Sequence, residues 1–169
     1  DMGLIGGLLE IIYAGACTVF MPPAAFLQRP VRMLEAVTRY EATITGGPNF
    51  TYELLVDKTT EEMRSTLDLS SLQIVFNGAE PVRYETLQRF LTTFAPYGLR
   101  REALYPCYGL AEGTLYVSGS ESHKEIAMAS FDKKALERNE MVVSEVRDTS
   151  RILVSSGHFF GDQIVKIVN

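Results

Sequence analysis

The sequence has no tryptophan, and only two cysteines and two histidines among 169 residues. Cys17 and Cys107 lie far apart beside apolar residues. They allow one disulfide at most, and supply neither a disulfide framework nor a zinc site. A reduced, cytoplasmic setting fits that usage better than a secreted one. His123 and His158 lack metal-ligand spacing and read as ordinary surface or loop residues. The phosphate-cradling pattern GxxxxGK[ST] is absent. So are G-x-S-x-G, H-E-x-x-H and a G-x-G-x-x-G following a strand, so hydrolase, zinc-protease and dinucleotide readings lose their anchors. An excess of basic residues is missing too. The net charge of −5 argues against a nucleic-acid surface. It leaves nucleotide binding open, because a bound cation and a few local dipoles can hold phosphates.

No basic region precedes the first apolar run, so no signal peptide is read there. Met2 to Met21 carries a single charge, Glu10, and passes the length test for a membrane span. A carboxylate near its middle would cost about 2.5–3.5 kcal/mol in a bilayer. Gly15-Ala16 and the following Pro22-Pro23 fit a buried helix turning into a buried strand instead, with no stable membrane insertion. Both ends read as cut. The chain opens on Asp1, and Gln163 to Asn169 alternates like a strand in mid-course. The expectation is a fragment of a longer protein.

What is present is an ordinary globular composition, 46% apolar and 22% charged. A chain of this length buries roughly 68–70% of its unfolded surface, enough for a true core. Met2 to about Tyr13 reads as a buried helix and Cys17 to Met21 as a short strand. Pro30 opens a helix with Val31, Leu34 and Val37 on its inner stripe. Strands are expected at Ala42–Thr45, Leu72–Phe76, Ala103–Tyr105 and Thr114–Val117. Pro48 starts one intervening helix. Pro81 opens another, whose inner face is Leu87, Phe90, Leu91 and Phe94. Strands alternating with helices of this length imply an α/β fold with a mostly parallel sheet and flanking helices. After Gly119 the chain turns polar, with further strands expected near Ile126–Phe131, at Arg151–Ser155 and in the final run. Asp132 to Glu140 reads as a charged helix or loop. The division is residues 1–119 as the α/β portion with the ligand loops, 120–150 as an insertion-like segment, and 151–169 as the start of a smaller β-rich part.

Three loops of small residues follow strand ends: Gly46-Gly47-Pro48-Asn49, Asn77-Gly78-Ala79-Glu80 and Pro106-Cys107-Tyr108-Gly109. In a parallel sheet those ends share the edge where open α/β folds bind ligands. Glu112, beyond the last loop, has the chemistry to ligate Mg²⁺ between phosphate oxygens. It equally suits an exposed acid at a helix start. Tyr108 offers a ring to stack on a base, or simply a rim tyrosine. Gly78 and Ala79 carry little side chain, so backbone there can approach a flat ligand face. A plain strand-to-helix turn explains the same residues.

At these residues the chain resembles the adenylate-forming enzymes, and among them the fatty acyl-AMP ligases. Tyr108-Gly109-Leu110-Ala111-Glu112-Gly113-Thr114 is similar to their Tyr-Gly-Leu-Ala-Glu-Ala-Thr stretch. Asn77-Gly78-Ala79-Glu80-Pro81-Val82-Arg83, Gly46-Gly47-Pro48-Asn49-Phe50, Asp1-Met2-Gly3-Leu4, Leu67-Asp68-Leu69-Ser70-Ser71 and Ser130-Phe131-Asp132 match in kind and order. The resemblance implies an enzyme that uses ATP and Mg²⁺ to activate a fatty acid as acyl-adenylate, releasing pyrophosphate. It implies that Gly78, Ala79 and Glu80 line the adenine pocket, that Tyr108 stacks on the base, and that Gly109, Leu110, Ala111 and Thr114 belong to the same nucleotide site. Glu112 becomes the catalytic metal ligand, and Met2, Gly3 and Gly7 border the acyl pocket. The polar tract after Val117 falls where these ligases carry an insertion tied to delivery onto an acyl carrier protein.

The sequence departs from that family at several points. Gly113 stands where Ala is usual, and Ser156-Gly157-His158-Phe159-Phe160-Gly161 replaces an expected Cys/Tyr-Gly-Arg-Pro stretch. The His before Asp1, the phosphate loop, the ribose-binding Asp and the C-terminal domain with its Lys are not in the chain. The chain alone is therefore expected to be inactive. Two rival readings remain, an acyl-CoA synthetase and a non-catalytic acyl- or nucleotide-binding module of a larger synthase.

Overall fold

The computed structural model describes residues 2–122, 124–146 and 148–166. Asp1, His123 and the last three residues of the expected terminal strand lie outside the described residues. A five-stranded sheet runs in the order β1 (Ile44–Gly47), β2 (Ile74–Asn77), β3 (Leu104–Gly109), β4 (Tyr116–Gly119) and β7 (His158–Phe159). β1, β2 and β3 are parallel. β4 and β7 join antiparallel. β5 (Met128–Asp132) and β6 (Ser150–Val154) form a separate antiparallel pair. The parallel core with flanking helices is the expected α/β class. The antiparallel edge follows from the short β3–β4 connection, because a parallel return needs a crossover of a dozen or more residues.

The helices that cover the sheet follow the apolar spacing. α3 (Val31–Tyr40) starts after Pro30 and buries Val31, Leu34 and Val37. α4 (Asn49–Asp57) follows Pro48 and buries Tyr52 and Leu55, and the short α5 (Glu61–Arg64) comes next. α6 (Tyr84–Phe94) buries Leu87, Phe90, Leu91 and Phe94, positions that stack on one face of a 3.6-residue turn. Tyr52 meets Phe90 edge-on at 4.8 Å, joining α4 to α6. Val75 and Leu104, on β2 and β3, complete this core with loop residues Leu67, Leu69 and Leu72.

Several expectations are corrected. The opening segment is a wide π-helix over Met2–Leu9 followed by α1 (Glu10–Ala14), and none of it is buried. Leu4, Leu8, Leu9 and Ile12 are exposed in this chain. Gly6 lies against the Leu115 side chain and Gly7 against the Phe20 ring, whereas Gly3 has nothing near it. Cys17–Met21 is irregular rather than a strand, and Val19 and Phe20 are exposed. Among the described residues no strand pairs with it, and an extended segment without a partner leaves its backbone groups unbonded. α2 (Pro23–Gln28) follows. Pro81 does not open α6, which begins at Tyr84; Pro81 to Arg83 is outside any helix and is tied by bonds described below. The expected charged helix shrinks to α7 (Lys133–Leu136), capped by the Asp132 carboxylate accepting from Ala135 N–H at 2.8 Å. Gln163–Lys166 is not strand. Among the described residues no helix is long and apolar enough to cross a membrane.

The β1–β2 contact tolerates no side chain at Gly46. That residue pairs with Phe76, and a Cβ there would overlap the Phe76 carbonyl oxygen and ring. The carbonyl belongs to the paired strand and cannot swing aside. Gly46→Ala is expected to destabilise the fold by about 3 kcal/mol, read as a lowered midpoint in urea unfolding followed by circular dichroism. An unchanged midpoint would mean that the strands are not paired in this register.

Candidate functional site

The edge that carries the three small-residue loops is assembled by strand register. Gly47 of β1 stands level with Asn77 of β2, and Asn77 level with Pro106 of β3. Their carboxyl ends therefore share one edge, and the three small-residue loops leave from it. β3 runs on past Pro106 to Gly109, with an irregularity between Tyr108 and Gly109 in its pairing to β4.

The turn after β3 is tightly wound. Leu110 N–H donates to Leu115 O at 3.0 Å, and Thr114 N–H to Ala111 O at 3.0 Å. Ala111–Gly113 forms one 3-10 turn. Leu115 N–H then reaches back to Gly113 O at 2.9 Å, which makes Thr114 the centre of a γ-turn with φ 73° and ψ −58°. That conformation is rare and strained, and more so for a β-branched residue. Gly109 has no alternative, because a Cβ there would overlap the Leu115 carbonyl. The result is an exposed Glu112 beside a half-exposed Tyr108. Among the described residues the Glu112 carboxylate takes part in no ion pair.

The second loop lies directly on β3. A Cβ at Gly78 would sit 3.0 Å from both the carbonyl oxygen and the sulfur of Cys107, a tight contact that glycine avoids. Cys107 Sγ faces Asn77 O at 3.6 Å. Burial pushes its thiol up to about 11, so it is neutral at physiological pH and no nucleophile. Ala79 takes the left-handed conformation, φ 68°, and both Ala79 and Glu80 are exposed.

Asn49, 1% exposed, ties the first loop to the second. Its backbone N–H donates to Glu80 Oε1 at 2.9 Å, and its Nδ2 to Pro81 O at 3.0 Å. Its Oδ1 accepts from Asn77 Nδ2 and from Arg83 N–H, both at 3.1 Å. One turn along α4, the Tyr52 hydroxyl donates to Phe76 O, and burial pushes its pKa upward. Asn77 Oδ1 is buried without a hydrogen-bond partner among the described residues, an acceptor left unpaired at the edge itself. Behind β3, the Tyr105 and Tyr116 hydroxyls bond at 2.9 Å. Burial, then that bond, raises the Tyr116 pKa.

The structure thus brings together Gly78, Ala79, Glu80, Tyr108, Gly109, Leu110, Ala111, Glu112 and Thr114 on adjacent strand ends. The opening helix comes near through Gly6 on Leu115, one residue past Thr114. Met2 is exposed. The linking role of Asn49 was not visible in the sequence; the only local signal was a polar residue directly after Gly-Gly-Pro. A depression of about 500 Å³ lies elsewhere, lined by Glu85, Ser130, Lys133, Glu145, Ser150, Arg151 and Ile152. It shares no residue with the strand-end loops.

The profile of the AMP-binding enzyme family matches residues 1–145. The chain is 45% identical to a medium-chain-fatty-acid–[acyl-carrier-protein] ligase, JamA, of Moorena producens, over 100% of this chain and 29% of that protein. It is 37% identical to the corresponding ligase TtuA of Teredinibacter turnerae, over 100% of this chain and 26% of that one. A fatty acyl-adenylate ligase from L. pneumophila, solved with acyl adenylate and pyrophosphate, superimposes with a TM-score of 0.89 at 44% identity. That match covers 93% of this chain and 28% of the solved one. The chain therefore spans under a third of the length of the relatives it matches.

Proposed function

The chain belongs to the AMP-binding enzyme family, and from that premise we propose that the whole protein activates a fatty acid with ATP. A carboxylate oxygen of the acid attacks the α-phosphorus, the bond to the β-phosphate breaks, and acyl-adenylate and pyrophosphate form. The acyl group then passes to an acyl carrier protein. One observation carries the reading: the Asn77–Glu80 and Tyr108–Thr114 loops leave neighbouring parallel strands at the edge where such folds bind ligands. The relatives named above support the substrate and the acceptor.

In this reading Gly78, Ala79 and Glu80 present backbone to adenine, Tyr108 stacks on it, and Gly109, Leu110, Ala111 and Thr114 shape the wall. Met2, Gly3 and Gly7 border the acyl chain. Glu112 fits Mg²⁺, since the ion takes one or two carboxylates and leaves its other positions to phosphates and water. An exposed carboxylate without an ion pair suits that role, and among the described residues no cluster of three acidic, His or Cys ligands competes for a metal. When bound, the ion offsets phosphate charge as the P–O bonds change. Residues 1–119 supply these loops, 120–150 the insertion and 151–169 the start of the β-rich part, with β6 pairing back to β5 across the boundary at 150. The two unpaired cysteines fit a reducing cytoplasm. This chain alone is expected not to adenylate.

The test incubates the whole protein with labelled fatty acid, ATP and Mg²⁺, with and without coenzyme A and a carrier protein. Acyl-AMP that accumulates regardless of coenzyme A, and moves to the carrier protein, is the expected result. Acyl-CoA would transfer the assignment to the synthetases, and no product would leave a binding module. Tyr108→Ala is expected to raise KM for ATP about tenfold, because one aromatic–base stack contributes about 1–3 kcal/mol. Unchanged nucleotide affinity would remove Tyr108 from the base site.

A further inference from the structure

We propose that Asn49 and Glu80 act as a clasp that holds the Asn77–Glu80 loop in the conformation presented to the nucleotide, both as positioning residues. The inference rests on the nucleotide reading of this edge. The loop turns through Ala79 in a left-handed conformation that alanine adopts only under constraint. The constraint acts on both sides of that residue. Before it, Asn77 Nδ2 donates to Asn49 Oδ1. After it, Arg83 N–H donates to the same oxygen and Pro81 O accepts from Asn49 Nδ2. Asn49 thus spends both lone pairs of its side-chain oxygen and one of its amide hydrogens on this one loop.

Glu80 closes the ring from the other end. Its Oε1 accepts the Asn49 backbone N–H, a first-turn donor of α4 that has no partner within the helix. Negative charge is favoured there by the helix dipole. The carboxylate is therefore engaged with α4, and the loop faces the edge with its backbone. Asn49 is too deeply buried to reach a ligand at this edge, so it acts through the loop. α4 in turn is fixed by Tyr52 and Leu55 in the core. Rigidity passes from the core, through Asn49, to a loop that is itself exposed.

The test uses the whole protein and three variants. In Asn49→Ala the Arg83 amide is expected to exchange hydrogen at least about tenfold faster, while amides of β2 keep their protection. KM for ATP is expected to rise about tenfold, with KM for the fatty acid within about twofold. Glu80→Ala is expected to match it, and Glu80→Gln, which keeps the accepting oxygen but loses the charge, to fall between that variant and the parent. Unchanged Arg83 exchange in Asn49→Ala would overturn the clasp. So would a lowered Tm with unaltered KM for ATP, or a Glu80→Gln variant as impaired as Glu80→Ala. If Asn49→Ala does not fold, the Glu80 pair decides the matter. If the parent makes no acyl-adenylate, the functional reading fails by itself, and Arg83 exchange still judges the clasp.

Discussion

Glu112→Ala in the whole protein is expected to lower Mg²⁺-dependent pyrophosphate release by about 100- to 1000-fold, the size seen when one preorganised electrostatic contact to a transition state is removed. Stability is expected to stay within about 0.5 kcal/mol, since the side chain is exposed and in no ion pair among the described residues. The combination matters more than either number. An acid at the start of a 3-10 turn that served only the turn would leave turnover intact. A metal-holding carboxylate loses turnover with the melting temperature unchanged. Raising Mg²⁺ should recover part of the activity if the lost contact is to the ion. Full activity in the variant would return Glu112 to an ordinary surface acid, and would favour the non-catalytic module over the ligase.

Phe90→Ala should show the opposite profile. Phe90 is 1% exposed and packs between Tyr52 at 4.8 Å and Phe94 at 4.9 Å. Removing the ring forfeits its transfer energy and leaves a cavity that two helices and a sheet cannot close, about 3–5 kcal/mol in all. For a chain of this size that corresponds to a fall in Tm of roughly 10 °C. α6 follows directly on the Asn77–Arg83 segment, and α4 carries Asn49. Loosening the α4–α6 contact should therefore weaken ATP affinity as well, although Phe90 touches no ligand. A loss under about 1 kcal/mol, read by urea unfolding, would mean that these two helices are not packed through this ring.

The two outcomes separate what was legible from what was not. The inner face of α6 could be read from Leu87, Phe90, Leu91 and Phe94 because helical burial is a local periodicity. The Pro30 and Pro48 boundaries were legible for the same reason, as proline sets its own dihedral. The boundary near Pro81 is not local: α6 begins at Tyr84. There the helix start is decided by bonds from Asn49 to Pro81 O and Arg83 N–H, more than thirty residues distant in sequence. The opening segment is helical as its apolar run suggests but exposed in this chain, since such a run reports what a segment could bury and not which neighbour buries it.

By itself, the sequence determined the helix faces, the three small-residue loops at strand ends and the motif run that carries the family resemblance. Each depends on residue type and near spacing alone. The tertiary structure decided the common register that sets those loops on one edge, and the antiparallel turn back at β4. It also decided the left-handed Ala79, the γ-turn at Thr114 and the place of Asn49 among the loops. Those features depend on which distant backbone groups meet, and hydrogen-bond partners thirty residues apart leave no periodic trace in the chain that joins them.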